Sequence, residues 1–570
     1  MKKKIRKRYS LLREYIYTYN IAKYILIYGI IVCMSLVEPA LAKMVTKYSI
    51  YSFNINFVIK FSLIWLLIFF IRLLIELKRN IMDIHYDIKI KTECQKRILR
   101  KILDLRYKDY SKESDGYWMS RCIDDVNNLD SYMPKVVVGS FWSLVQFLVT
   151  IIIMINMSWK LSIFAVLFVI GDVVANFMFP LTKYYRDYAQ KRVQISHELN
   201  DILKNEQLIK CSNIQNHEVQ RFSNVLGNVY NSFFTREKYN CLRNWGRSIV
   251  GGISTPILYL IGGLNIIKGN IGIDTFISFM MYFGILRGSF SPVSTFFIRI
   301  RNSNVYLDRI NEVLSLQEED KIASTPLLCI KDIVFRDLSL SIDNNKVLDK
   351  ISFSIAPNEK IAIMGESGSG KSSLVKILLG LNEFSSGQIL INNINLKEYS
   401  IDEIRNKIAY ISQDGYLFNR TIYENIALWD NKKDIQRALD ISMCNEFLNS
   451  ERDLESSIDG HSNNFSGGEK QRLSIARQLM KDADVYIFDE ATSALDKSKE
   501  ITIFNNLMQE LRNKIVIFIS HNPELIKKFT KIVFISNGKV IAIGTHSELM
   551  NDYDEYRRLY NSYLEMSKNT

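Results

Sequence analysis

Ile361-Ala-Ile-Met-Gly-Glu-Ser-Gly-Ser-Gly-Lys-Ser-Ser-Leu374 reads as a short apolar strand, a glycine-rich loop and the start of a helix. Gly365, Gly370, Lys371 and Ser372 fit the spacing GxxxxGK[ST], with Glu366, Ser367, Gly368 and Ser369 forming the loop and Ser373 following it. Glycines let backbone N–H groups wrap phosphate oxygens at a helix N-terminus, where orphan donors and the helix dipole favour an anion. Lys371 reaches the outer phosphates, and the Ser372 hydroxyl is suited to Mg²⁺. Many phosphate-binding folds share this pattern, so the neighbouring sequence has to say which one is present.

Downstream, Val485-Tyr-Ile-Phe-Asp489 is a buried-strand pattern ending in a carboxylate, with Glu490 directly after it. Asp489 is placed to hold Mg²⁺ and Glu490 to polarise an attacking water, the two tasks phosphoryl transfer requires beside its cation. Taken alone, an acidic pair at this place is equally well an ordinary solvated strand end.

Between the two lies Asn464-Phe-Ser-Gly-Gly-Glu-Lys-Gln-Arg-Leu473, which resembles the signature of ABC ATPases, and Asp489-Glu-Ala-Thr-Ser-Ala-Leu-Asp496 resembles their Walker B and D-loop. Gln413, in Ile411-Ser-Gln-Asp-Gly-Tyr-Leu-Phe418, is similar to the Q-loop, and His521, in Ile519-Ser-His-Asn522, to the switch histidine. With Gly538 to His546, the resemblance spans the whole second half of the chain. It implies an ATP- and Mg²⁺-dependent ATPase. Ser466, Gly467 and Gly468 would contact the γ-phosphate held by a second subunit, and Asp496 joins the nucleotide-contacting set. Gln413 would sense Mg²⁺ and water, and His521 would steady Glu490. No single chain closes a site on this reading. A homodimer is the economical assembly, and a heterodimer with another chain stays open. The sequence departs from the family at Ile342, where an aromatic ring usually stacks on adenine. An aliphatic side chain there forgoes roughly 0.5–1.5 kcal/mol of stacking. Phe465 and Glu469 also replace the commonest signature residues.

The first half of the 570 residues has another character. Apolar runs at about 21–42, 57–77, 135–156, 160–181, 248–268 and 273–295 approach the length that crosses a hydrocarbon core as a helix. The net charge of +13 sits largely beside them, in Lys2, Lys3, Lys4, Arg6, Lys7 and Arg8 and again in Lys78 to Lys101. Such bias orients a membrane protein and argues against nucleic acid as the partner. It places both termini, and the basic excursions 78–134 and 182–247, in the cytosol of a multi-pass protein of the bacterial cell membrane. If the excursions are helical hairpins of roughly 25 residues per arm, they reach on the order of 35–40 Å beyond the lipid. Two small cytosolic helical domains are the alternative. The expected fold is thus a multidomain membrane protein: a six-helix all-α transmembrane domain with long cytosolic helical extensions over 1–300, a linker over 301–329, and an α/β P-loop ABC ATPase domain over 330–570. Ile5, Tyr9, Leu12, Tyr15 and Ile16, interleaved with basic residues, suit either an interfacial helix or a solvated tail.

Seven scattered cysteines with no CxxC pair read as small hydrophobes rather than disulfides or metal ligands. The first apolar run has no small-residue cleavage site, which argues against a removable signal peptide. With about twenty residues before that run, no leader-cutting protease domain is expected on the chain. Asp172 and Arg287, both near mid-membrane by residue count, suit an interhelical pair or a substrate contact. Glu38, towards the outer end of span one, and Gln146 are further pathway candidates, and Arg72 with Glu76 suits an interfacial pair. Tyr28, Trp65, Phe141, Trp142 and Tyr282 are candidates to line a cavity. The resemblance implies ATP-driven export by alternating access, with a peptide as the favoured cargo. A lipid flippase, multidrug exporter or importer on the same frame is the alternative, and a non-transporting ATP-binding sensor is disfavoured by the complete hydrolytic set.

Overall fold

The computed structural model describes residues 21–129, 134–178, 181–319, 325–342, 345–428, 434–449, 452–458 and 465–569. The expected N-terminal interfacial helix and Asn464 lie outside them. Two compact units emerge. One holds the described residues up to Leu103 and from Ser114 to Leu316; the other holds Asp104–Glu113 and the chain from Gln317 onward.

The first unit is helical. Its long elements are α1 (Ile21–Ile50), α2 (Ile55–Leu103), α3 (Pro134–Met157), α4 (Trp159–Phe177), α5 (Leu181–Lys204), α6 (Gln215–Ile267) and α7 (Ile273–Ser315). Among the described residues, α1, α2, α3 and α6 are long and apolar enough to cross a membrane. The apolar runs expected at 160–181 and 273–295 fall largely on α4 and α7. At 49 and 53 residues, α2 and α6 are about 75–80 Å long at 1.5 Å per residue, more than twice the span of a hydrocarbon core.

The polar residues of the spans find specific partners, and one expected pairing is corrected. Asp172 pairs with Arg247 rather than with Arg287: Nε and Nη2 of Arg247 each stand 3.2 Å from a different carboxylate oxygen. The fork of a guanidinium matches both oxygens, and α4 packs along α6 at this height. Glu38 lies well inside α1 because the helix continues to Ile50, and it pairs with Arg72 at 2.7 Å, closer than the 3.6 Å from Arg72 to Glu76. Gln146 donates to Ser35 Oγ at 2.8 Å and so joins α3 to α1. Hydroxyls also tie α7 to α1 around Pro39, with Ser278 donating to Pro39 O and Tyr282 to Leu36 O, both at 2.8 Å. In an apolar setting such bonds fix helix contacts that lipid-like packing alone leaves loose.

The domain edges also shift. Helix α7 continues through position 300 to Ser315, because no breaker intervenes in Arg301 to Leu314, so the helical unit ends later than expected. Asp104–Glu113 belongs to the second unit: Glu319 N–H donates to Asp104 O at 2.9 Å, Arg106 Nη1 meets Glu383 at 3.2 Å, and Glu319 takes a two-pronged contact from Arg405 at 2.6 and 2.8 Å.

That second unit carries two sheets. An antiparallel sheet has the order β2-β1-β4-β5, from β1 (Ile333–Ile342), β2 (Asn345–Ile355), β4 (Ser386–Ile391) and β5 (Ile394–Asn395). A six-stranded sheet has the order β10-β9-β3-β8-β7-β6, from β3 (Lys360–Met364), β6 (Ile408–Ile411), β7 (Val485–Asp489), β8 (Ile515–Ile519), β9 (Lys531–Ser536) and β10 (Lys539–Gly544). β9, β3, β8, β7 and β6 are parallel, and β7 and β8 are buried at every position. Continuous apolar runs suit such strands, since helices cover both faces of a parallel sheet.

Candidate functional site

β3, β8, β7 and β6 are neighbours in that order, and each ends in one of the sequence motifs. The phosphate loop follows β3, His521 follows β8, Asp489 and Glu490 finish β7, and Gln413 follows β6. Strands about 4.8 Å apart therefore bring four segments together that are up to 156 residues apart in the chain.

The loop after β3 is built for close backbone approach. A Cβ on Gly365 would lie 2.1 Å from Ile535 O, and Gly370 holds φ +98° with a hypothetical Cβ 2.6 Å from Leu348. Gly370 caps α8 (Lys371–Leu378), whose first N–H groups lack partners within the helix. Ser369 Oγ is buried with no hydrogen-bond partner, an orphan that a phosphate oxygen would satisfy. Lys371 is buried, and Nζ donates to Gly365 O and Glu366 O at 2.8 Å each. Burial pulls its pKa below the ordinary lysine value, while Glu490, Asp489 and Glu366 oppose the shift. Glu366, Ser367 and Gly368 are exposed, and Ser373 is half-buried.

Asp489, 5% exposed, accepts from Ser372 Oγ at 3.0 Å and from Tyr410 OH at 3.1 Å. Burial pushes its pKa up and the Glu490 charge adds to this, while the two hydroxyls pull the other way. A buried carboxylate with hydroxyl donors and, among the described residues, no cation in ion-pair range fits a divalent metal ion. Tyr410 was not legible in the sequence, since only the β6–β7 pairing carries it beside Asp489.

Glu490 sits at φ +52°, a left-handed conformation unusual for a side chain of this kind, and its N–H donates to Ile519 O at 3.0 Å. The turn aims the carboxylate at His521, whose Nε2 lies 2.8 Å from Glu490 Oε1. Gln413 is not brought into this group. Its side chain is exposed, and its carbonyl accepts from Gln471 Nε2 at 3.1 Å. Gln471 also accepts the Ala494 N–H at 3.0 Å, so this one side chain links the segments after β6 and β7. Its chemistry was hidden in the sequence because an amide within a helix is usually solvated.

Ser466, Gly467 and Gly468 open α9 (Gly467–Leu479). Glu469 is the reason the departure from the usual residue is tolerated. It closes a capping box, accepting the Ser466 N–H at 2.7 Å while Ser466 Oγ accepts its own N–H at 3.3 Å. The S-x-x-E spacing was a readable signal of that. Asp496 caps the helix Lys497–Glu510 in an extended conformation. Ile342 ends β1, 45% exposed, and pairs with Asn345 of β2, the strand whose Val347 and Leu348 lie against Gly370.

Two family descriptions match the chain, "ABC transporter" over residues 348–493 and "ABC transporter transmembrane region" over residues 21–290. The chain is an ABC transporter. Its membrane and ATPase halves are fused, and ATP hydrolysis is coupled to transport. The transporter is 27% identical to an ATP-dependent lipid A-core flippase of Desulfotalea psychrophila, covering 78% of this chain and 80% of that protein. It is 29% identical to the lactococcin-G-processing and transport ATP-binding protein LagD of Lactococcus lactis, covering 65% of this chain and 54% of that protein. The structure of a bacterial Atm1-family ABC exporter with ATP bound superposes with a TM-score of 0.83 at 18% identity, over 97% of this chain and 98% of the other, a likeness in fold.

Proposed function

We propose that this ABC exporter moves its cargo outward across the cytoplasmic membrane by alternating access, as a homodimer with two ATP sites. The observation that carries the reading is the end of β7: a buried carboxylate held by Ser372 and Tyr410, then a second carboxylate held by His521. Lys371 and the loop N–H groups bind and orient the phosphates of ATP. Ser372 and Asp489 hold Mg²⁺, which when bound supplies charge against the phosphates. Glu490 takes the proton of the attacking water, and the His521 contact keeps its carboxylate aimed. Ser466, Gly467 and Gly468 present a helix N-terminus to a second copy's nucleotide, and exposure of Ser466 and Gly467 supports that role. Six spans with both termini in the cytosol follow from the basic flanks, and lengths of α2 and α6 support extensions beyond the lipid.

A cavity of about 920 Å³ in the helical unit supports a cargo site; it is lined by α4, α6 and α7, with Tyr259, Phe276, Phe283 and Met280 as its apolar wall. The aromatic residues expected from the sequence do not form this wall. Tyr282 and Tyr28 are buried elsewhere, and Trp142 packs on Gly29. A peptide is the favoured cargo, in line with the similarity to a lactococcin transport protein. A lipid cargo is the second reading, favoured by Arg287, which faces the cavity with no carboxylate partner among the described residues and suits an anionic headgroup. The test is reconstitution into liposomes with ATP supplied outside. Accumulation of labelled peptide by wild type but not by Glu490→Gln is expected; transbilayer movement of labelled lipid with no peptide uptake would replace the first reading by the second.

A further inference from the structure

The last helix, α10 (Asp554–Asn569), lies outside every nucleotide motif, yet one of its side chains enters the hydrolytic group. Tyr556, Tyr560 and Tyr563 recur at the spacing of one helical face and are all buried. Tyr556 OH meets His546 Nδ1, past the end of β10, at 2.9 Å, and Tyr560 OH lies 3.5 Å from the carbonyl of Pro523, in the segment after β8 two residues past His521. Tyr563 goes further. Its hydroxyl donates to Gly365 O at 3.0 Å, the same carbonyl that accepts from Lys371 Nζ. Its ring stands perpendicular to the His521 imidazole, centroids 4.9 Å apart at 87°.

The His521 side chain is 35% exposed, so burial alone does not lock its ring. Nε2 is useful only while it faces Glu490 Oε1, and rotation of the ring by a few tens of degrees breaks that 2.8 Å contact. An edge-to-face aromatic neighbour fixes the plane. We propose that Tyr563 is a positioning residue of the ATPase site, its hydroxyl anchored to the entrance of the phosphate loop and its ring holding His521 against Glu490. The inference rests on the roles proposed above for His521 and Glu490. Burial, with Glu490 and Glu366 adding to it, raises the Tyr563 pKa to about 12, so the phenol remains a donor throughout the physiological range.

The test is steady-state ATPase of the full chain in nanodiscs. Tyr563→Leu keeps an apolar side chain under the helix and removes both contacts; kcat should fall about tenfold or more with KM for ATP changed by less than about threefold. Tyr563→Phe keeps the ring, is nearly isosteric, and should cost only about 2- to 10-fold, the share of one neutral hydrogen bond. In a His521→Ala background, Tyr563→Leu should cause no further loss, because the ring it would orient is gone. A purely packing role lowers activity by the same factor in both backgrounds, and that result overturns the proposal, as does an unchanged kcat in Tyr563→Leu. Should Tyr563→Leu not fold, an unchanged kcat in Tyr563→Phe overturns the anchoring of the hydroxyl. Unimpaired turnover in His521→Ala alone would instead overturn the underlying role of His521.

Discussion

Replacing Tyr410 by Phe removes one oxygen and leaves the ring, so its effect on hydrolysis comes through Asp489. The lost contact is the 3.1 Å donation to Asp489 Oδ2, in a site where the carboxylate is 5% exposed and water cannot substitute freely. A hydrogen bond to a charged group is worth about 1.5–3 kcal/mol. At 1.36 kcal/mol per factor of ten, ionisation of Asp489 becomes about tenfold to a hundredfold less favourable. The sign follows from the cause: burial already holds this carboxylate's pKa above the ordinary aspartate value, and losing a donor that favours the ionised form moves it up again. Cation binding needs the ionised form, so activity is retained at high pH and lost as pH falls through the raised value. In Tyr410→Phe the loss should begin nearer neutrality. Measured as ATPase rate against Mg²⁺ concentration, the half-saturating Mg²⁺ should rise by about one to two orders of magnitude at mildly acidic pH, with a smaller change in alkaline solution. Mg²⁺ curves superimposable on wild type at every pH would refute the assignment of Asp489 as the cation ligand supported by Tyr410.

Glu490→Gln should abolish turnover while ATP-bound dimers still form, as read by size exclusion with ATP present; normal hydrolysis would remove the general-base assignment. Ile342→Tyr should lower the KM for ATP by about 2- to 10-fold, the worth of an aromatic stacking contact, and an unchanged KM would show that this position does not meet the base. Asp172→Asn leaves the partly buried Arg247 without its charge partner and should lower stability by about 1–3 kcal/mol, read as a fall in thermal midpoint in detergent. Arg287→Gln should leave basal ATPase intact and suppress stimulation by anionic cargo; stimulation equal to wild type would take the guanidinium out of the cargo path.

The chemistry of the phosphate loop was legible in the sequence because it is local: glycines, a lysine and a hydroxyl within eight positions leave few other uses for the pattern. The same holds for the apolar runs that fall on α1, α2, α3 and α6, helices long and apolar enough to cross a hydrocarbon core. Periodicity assigns a residue to a face but never names the neighbour across it. Asp172 was therefore matched with Arg287 by depth alone, and only the packing of α4 on α6 selected Arg247. Glu38 and Arg72 likewise meet because α1 packs along α2. The alignment of four strand ends, the hydroxyl of Tyr410 on Asp489 and the ring of Tyr563 on His521 were settled by tertiary structure, since strand order and helix docking bring together side chains that the chain itself keeps 42 to 79 residues apart.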